Sequence, residues 1–220
     1  MKIIIPENLN EITVEQYIKY QRVLKIPNIG NDALIIGTVA CFCNLTTDEV
    51  LQIDSKEVKE IANKIIDVLQ QNPRDITHFG KFSRIPNFDN ITSGEYIDLD
   101  TFAGDLEKAH KFMAVFYRPK TKQILSDYQI EKYKGADLYE AEMLKAPLEA
   151  YLSAMVFFCN LSKELLKATK VYLQQKRTQE VEQLELHLEK NGIGIHQFTQ
   201  LLEEAILIYE KLLKPTYTNF

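Results

Sequence analysis

Glu95 and Asp98 are the residues best spaced to do chemistry together. Three positions apart on a predicted helix, they share one face, and Asp100, Asp105 and Glu107 extend the acidic cluster around them. Two clustered carboxylates can hold a cation or share acid–base work. Acids are also favoured near a helix N-terminus simply because they meet the helix dipole there. A solvated acidic face is therefore the preferred reading of this cluster, with metal-assisted catalysis as the competing one.

Other catalytic signatures are not recognisable. His78, His110, His187 and His196 have no His or Cys partner at metal-ligand spacing. Cys41, Cys43 and Cys159 lie inside apolar runs and read as buried, reduced thiols that act as small hydrophobes. Gly192-Ile193-Gly194 lacks the third glycine and the preceding strand of a dinucleotide site, so it reads as a helix terminator. No nucleophile elbow is present, and no cofactor is expected.

A second chemistry is contact. The segment from His78 to Phe88 combines Phe79, Phe82 and Phe88 with Lys81 and Arg84. Aromatics interleaved with cations can stack and clamp a nucleic-acid single strand. The balance of charge argues against that: the chain carries −5 net with a pI near 5.5, and its densest basic cluster, Arg118, Lys120 and Lys122, is small. A hairpin folded over a helical core is preferred, with its aromatic and Arg side chains available as protein-contact hot spots. The candidate partner-binding residues are Phe79, Phe82, Arg84, Phe88, Tyr117 and Arg118. Phe82→Ala and Arg84→Ala are expected to weaken partner binding more than thermal stability.

The elements that must position these residues are mostly helices. Few Gly and Pro for 220 residues favour long regular elements. Ile3–Ile5 reads as a short opening strand. Helix starts are marked three times by an apolar residue, a Thr, and a Gln or Glu three positions after the Thr: Thr13 with Gln16, Thr46 with Glu49, and Thr92 with Glu95. The flanking pairs Ile12–Tyr17, Leu45–Val50 and Ile91–Tyr96 have hydrophobic-staple spacing. Helices are predicted at 13–25, 32–44, 46–53, 55–71, 92–102, 105–117, 137–145, 147–160, 162–190 and 195–213. Residues 77–90 read as extended or turn structure, and 121–134 as a small hairpin or ordered loop.

The apolar stretches Ala33–Leu45 and Ala150–Leu161 are too short for the roughly 20 residues that cross a bilayer and read as core helices. An internal echo relates Ala40-Cys41-Phe42-Cys43-Asn44-Leu45-Thr46 to Val156-Phe157-Phe158-Cys159-Asn160-Leu161-Ser162. Two similar helix–helix corners explain it more simply than a duplicated hairpin.

The run Phe79-Gly80-Lys81-Phe82 through Ile91-Thr92-Ser93-Gly94-Glu95-Tyr96-Ile97-Asp98-Leu99-Asp100 continues with Val115-Phe116-Tyr117-Arg118-Pro119, Ala146-Pro147-Leu148 and Met155-Val156-Phe157-Phe158. Together these resemble small helical proteins from the structural modules of tailed bacteriophages, including tail assembly chaperone-like proteins, over about residues 78–162. The resemblance implies a non-enzymatic virion or assembly role in the host cytoplasm or the particle. The partners it implies are other phage structural proteins, with homo-oligomerisation open. It carries over no chemical site.

The sequence thus predicts a mainly α fold: a helical bundle with a small β-hairpin or extended insertion and a long C-terminal helical hairpin. It divides as an N-terminal helical part (1–76), a mixed insertion (77–135) and a C-terminal helical part (136–220). No direct nucleic-acid contact and no membrane span are expected. A cytosolic bacterial adaptor or regulatory protein is the alternative function.

Overall fold

Thr13, Thr46 and Thr92 each accept a hydrogen bond from the backbone N–H three residues on, while Gln16, Glu49 and Glu95 reach back to the cap residue's own N–H. These reciprocal caps satisfy orphan donors at three helix starts and fix where each helix begins. The computed structural model describes residues 3–124 and 127–175. They build α1 (Val14–Leu24), α2 (Asn31–Phe42), α3 (Thr47–Val50), α4 (Ser55–Leu69), β1 (His78–Phe79), β2 (Phe82–Arg84), α5 (Ser93–Ala103), α6 (Ala109–Phe116), β3 (Tyr117–Ile124), β4 (Asp127–Ile130), α7 (Glu140–Leu144) and α8 (Leu148–Gln175). The fold is mainly helical, with the four strands in one antiparallel sheet of order β1-β2-β3-β4.

The chain divides into two compact units, Met1–Ala154 and Met155–Phe220. In the first, α1, α2 and α4 bury Val14, Tyr17, Ile18, Val39, Val58, Ile61 and Ile65. Leu99, Phe112, Met113, Phe116, Tyr117, Met143 and Leu148 are buried as well. Of the second unit, residues 155–175 are described, and they continue α8. The predicted C-terminal hairpin, from 162 to 213, lies outside the described residues beyond 175. Among the described residues, no helix is long and apolar enough to cross a membrane.

Three local expectations are corrected. Ile3–Ile5 forms no strand: no described strand pairs with it, and Ile4 is largely exposed. The two apolar stretches are buried only in part. In α2 the core takes Thr38, Val39 and Phe42, while Leu34, Ile35 and Ile36 stay half-buried, and in α8 residues 155–159 are half-buried as well.

The echo marks one corner, not two. At the first copy Asn44 adopts φ 54° and Thr46 caps α3 with Glu49. At the second, α8 runs unbroken through Asn160-Leu161-Ser162. Three residues after Ser162 stands Leu165, which cannot reach back to a cap, so nothing competes with continued helix.

The helix predicted to end at Tyr117 ends one residue earlier, and the chain passes from α6 into β3 with no loop. Tyr117 (φ −118°, ψ 128°) is already extended, and Arg118 is steered the same way by the proline after it. Pro119 sits opposite Phe82 and has no N–H to donate, but its carbonyl accepts from Glu131 N–H at 2.9 Å. The ladder becomes irregular between Lys120 and Lys122.

Two sets of ties bind distant parts of the first unit. Val14 N–H donates to Ala146 O (3.0 Å) and Leu148 N–H to Ile12 O (2.7 Å), so the starts of α1 and α8 clasp each other. A strap at residues 74–77 runs across the first turns of α8. Arg74 holds Glu149 through Nε (2.8 Å), a terminal guanidinium nitrogen (2.8 Å) and its backbone N–H (3.1 Å), and Ile76 N–H donates to Ser153 Oγ at 2.8 Å.

Candidate interaction surface

β1 and β2 form a tight hairpin turned at Gly80, whose φ of 50° suits glycine. Phe79 is half-buried, edge-on to Tyr117 with ring centroids 5.0 Å apart. Phe82 is 5% exposed and meets Tyr139 edge-on at 5.4 Å. The Lys81 ammonium lies 5.2 Å from the centre of the Phe82 ring and 5.5 Å from that of Tyr139, and it pairs with Glu142 at 3.5 Å. Arg84 is half-buried and bonds Asp75 at 2.6 Å. Phe88 is half-buried against Phe116 at 5.3 Å. The segment is a hairpin folded onto the core.

Tyr117 is fully buried, donating to Ile76 O at 2.6 Å, and burial pushes its phenol far above the ordinary range. Arg118 is also buried. Its guanidinium pairs with Glu95 and lies over the Tyr133 ring at 5.6 Å. Of the six candidate contact residues, Phe82, Tyr117 and Arg118 therefore face inward. Phe79, Arg84 and Phe88 are half-covered and engaged with neighbours. As placed, the six do not compose an open docking face. Within the chain they tie the hairpin to Tyr139, Phe116, Asp75 and Glu95.

The carboxylates also part company. Glu95 is buried against Arg118, which corrects the expectation of a solvated face at this position. Burial alone would raise its carboxyl, but the Thr92 hydrogen bonds and the Arg118 guanidinium outweigh that and hold it below the usual carboxylate range. Asp98 accepts from the Tyr133 hydroxyl. Burial, then the hydrogen bond to Asp98, drives the Tyr133 phenol upward. Glu95 and Asp98 each serve a separate tie between α5 and the root of the β3–β4 hairpin.

Other titratable side chains act as ties in the same way. His110 Nε2 is 2.7 Å from Glu140 Oε1, and Lys111 Nζ is 2.8 Å from Asp137, joining α6 to the segment entering α7. No cluster of three or more His, Cys, Asp or Glu able to hold a metal occurs among the described residues. Cys41, Cys43 and Cys159 are free thiols; burial pushes Cys43 up to about 11.

The exposed apolar side chains of this region lie elsewhere. Tyr96 (43% exposed) and Ile97 (60%) stand on α5, and Leu138 (52%) precedes α7. Tyr96 was legible only as a staple partner and Ile97 only as part of a helix. A usable signal was the helical period: Tyr96, Ile97 and Asp100 fall on the side of α5 opposite Glu95 and Leu99. No family model, curated protein or solved structure matches the chain.

Proposed function

We propose that this chain is a non-enzymatic assembly or virion protein of a tailed phage, working through protein–protein contacts. The observation that carries the non-enzymatic part is the commitment of its best chemical groups to structural ties. Glu95 is held by Arg118 and Thr92, Asp98 by Tyr133, and His110 by Glu140. A general acid or base must meet substrate, and groups so engaged are poorly placed to do so. Apolar side chains presented outward, Ile97 and Tyr96 foremost, suit a contact role.

The phage assignment rests on the resemblance over residues 78–162. A connector or tail component and a tail assembly chaperone are both compatible with it. Quantitative mass spectrometry of purified virions beside infected-cell lysate separates them. A fixed copy number in particles makes the chain a structural component, and presence in lysate alone makes it a chaperone. Absence from both overturns the proposal in favour of a bacterial adaptor.

A further inference from the structure

Val68 and Phe82 are both buried, yet no residue between them is. From Asn72 to Thr77 this stretch forms neither helix nor strand. Its far end is fixed by the sheet, where the Thr77 carbonyl accepts from Arg84 N–H at 2.8 Å. What lies under it is the reverse. Glu149, Ser153 and Tyr117 are all buried, and each is tied to the strap by a polar contact. Arg74 closes on both Glu149 oxygens, Ile76 N–H donates to Ser153 Oγ, and the Tyr117 hydroxyl donates to Ile76 O. The Arg74–Glu149 pair shows the contrast most sharply, since its cation is 70% exposed and its carboxylate 6%.

Apolar burial is what makes opening a segment expensive, and this strap brings no buried side chain of its own. Its hydrogen bonds are exchanged for hydrogen bonds to water when it lifts, so each contributes little net. The two-pronged Arg74–Glu149 contact is the exception, because both partners are charged and the guanidinium matches the carboxylate geometrically. Glu149 also bonds Asn10, which is not part of the strap, so the carboxylate keeps one protein partner when Arg74 departs.

We infer that residues 72–76 are a releasable strap that lifts as one piece from the first turns of α8 while the helices stay folded, with the Arg74–Glu149 pair as its latch. Its hinges are Gln71, just past α4, and Thr77, where the sheet takes over. Lifting uncovers the Glu149 carboxylate with the Ser153 and Tyr117 hydroxyls near it, a set of acceptors suited to a guanidinium. The inference does not depend on the phage assignment.

Hydrogen exchange of single amides in the full-length chain, followed by NMR, tests it on the wild type and on Arg74→Lys and Glu149→Gln. Thermal melting checks that both variants fold; Arg74→Lys keeps the charge at an exposed position and loses only the two-pronged grip. In the wild type the Ile76 amide should exchange faster than those of Val14 and Phe116. Urea below the unfolding transition should speed Val14 and Phe116 but leave Ile76 nearly unchanged, because little surface opens with the strap. Each variant should speed Ile76 exchange on the order of ten-fold, although that amide is bonded to Ser153 and to neither altered side chain. An Ile76 amide that matches Val14 and Phe116 in rate and urea response would show that the strap opens only with the whole fold. Exchange unchanged in both variants, or already as fast as in an unstructured peptide in the wild type, would show that the pair is no latch.

Discussion

At the scale of single residues, removing one side of the Glu95–Arg118 pair strands the other charge where water does not reach it. Arg118→Ala should cost about 3–5 kcal/mol in chemical denaturation, and the double replacement with Glu95→Gln should cost clearly less than the sum of the two singles. Because the folded state holds the Glu95 carboxyl low, its contribution is complete above the unfolded carboxylate value of about 4.3 and is lost as pH falls through the lower folded value. Glu149 acts in the same sense, lowered first by its Arg74 hydrogen bonds against the opposing effect of burial. The melting temperature should thus drop in acid below about pH 4, and Glu95→Gln should flatten that drop. Phe82→Ala should lower stability by about 3–5 kcal/mol, as truncation of a buried aromatic does. The expectation from sequence was that Phe82→Ala and Arg84→Ala would weaken partner binding more than thermal stability; the 5% exposure of Phe82 argues for a large stability loss beside any loss of binding. Residue type signalled aromatic and cationic character there, but burial depends on Tyr139, Glu142 and Asp75, which are distant in sequence or carry no motif.

Among the elements, those most legible were the ones whose signals are local. A Thr cap and its reach-back partner lie within four residues, so the starts of α1, α3 and α5 could be read directly. Thr46→Ala should cost about 1 kcal/mol by thermal or chemical melting. Thr92→Ala should cost more, because the hydroxyl it removes also helps hold the buried Glu95 carboxylate, which then keeps only the backbone N–H at position 92 and Arg118. Pairing was less legible. β1 and β2 span only two and three residues, and their place in a four-stranded sheet depends on β3, more than thirty residues away. The apolar echo makes no second corner at Asn160, because Leu165 offers no reach-back to a cap and α8 continues through it. Gly37 in α2 tests close approach between elements. A methyl group there would lie 2.8 Å from Val23 Cγ1, so Gly37→Ala, which gains about 1 kcal/mol in an open helix, should instead destabilise the α1–α2 contact. Adding Val23→Ala should recover part of the loss.

For the molecule as a whole, the helical class and a small sheet were foreseeable from periodicity and composition. Which surfaces remain open was not, because burial is settled by contacts between segments far apart in sequence. α2 illustrates this: its long uncharged run suggests a core helix, yet only Thr38, Val39 and Phe42 are well covered. The clasp between Ile12–Val14 and Ala146–Leu148 has a consequence in time as well as in space. During synthesis at ~5–20 residues per second, the first helix must wait roughly 7–27 s for its partner segment to be made, and longer for that segment to clear the ribosome. Until then Ile12 and Val14, both fully covered in the finished fold, have only part of their burial available. A nascent chain stopped at residue 145 should remain protease-sensitive throughout its first helices, whereas one carried past the start of α8 should acquire protection in a single step. The birth of this fold is thus governed from its far side, and a chaperone that shields emerging apolar helices would have its longest opportunity in that interval.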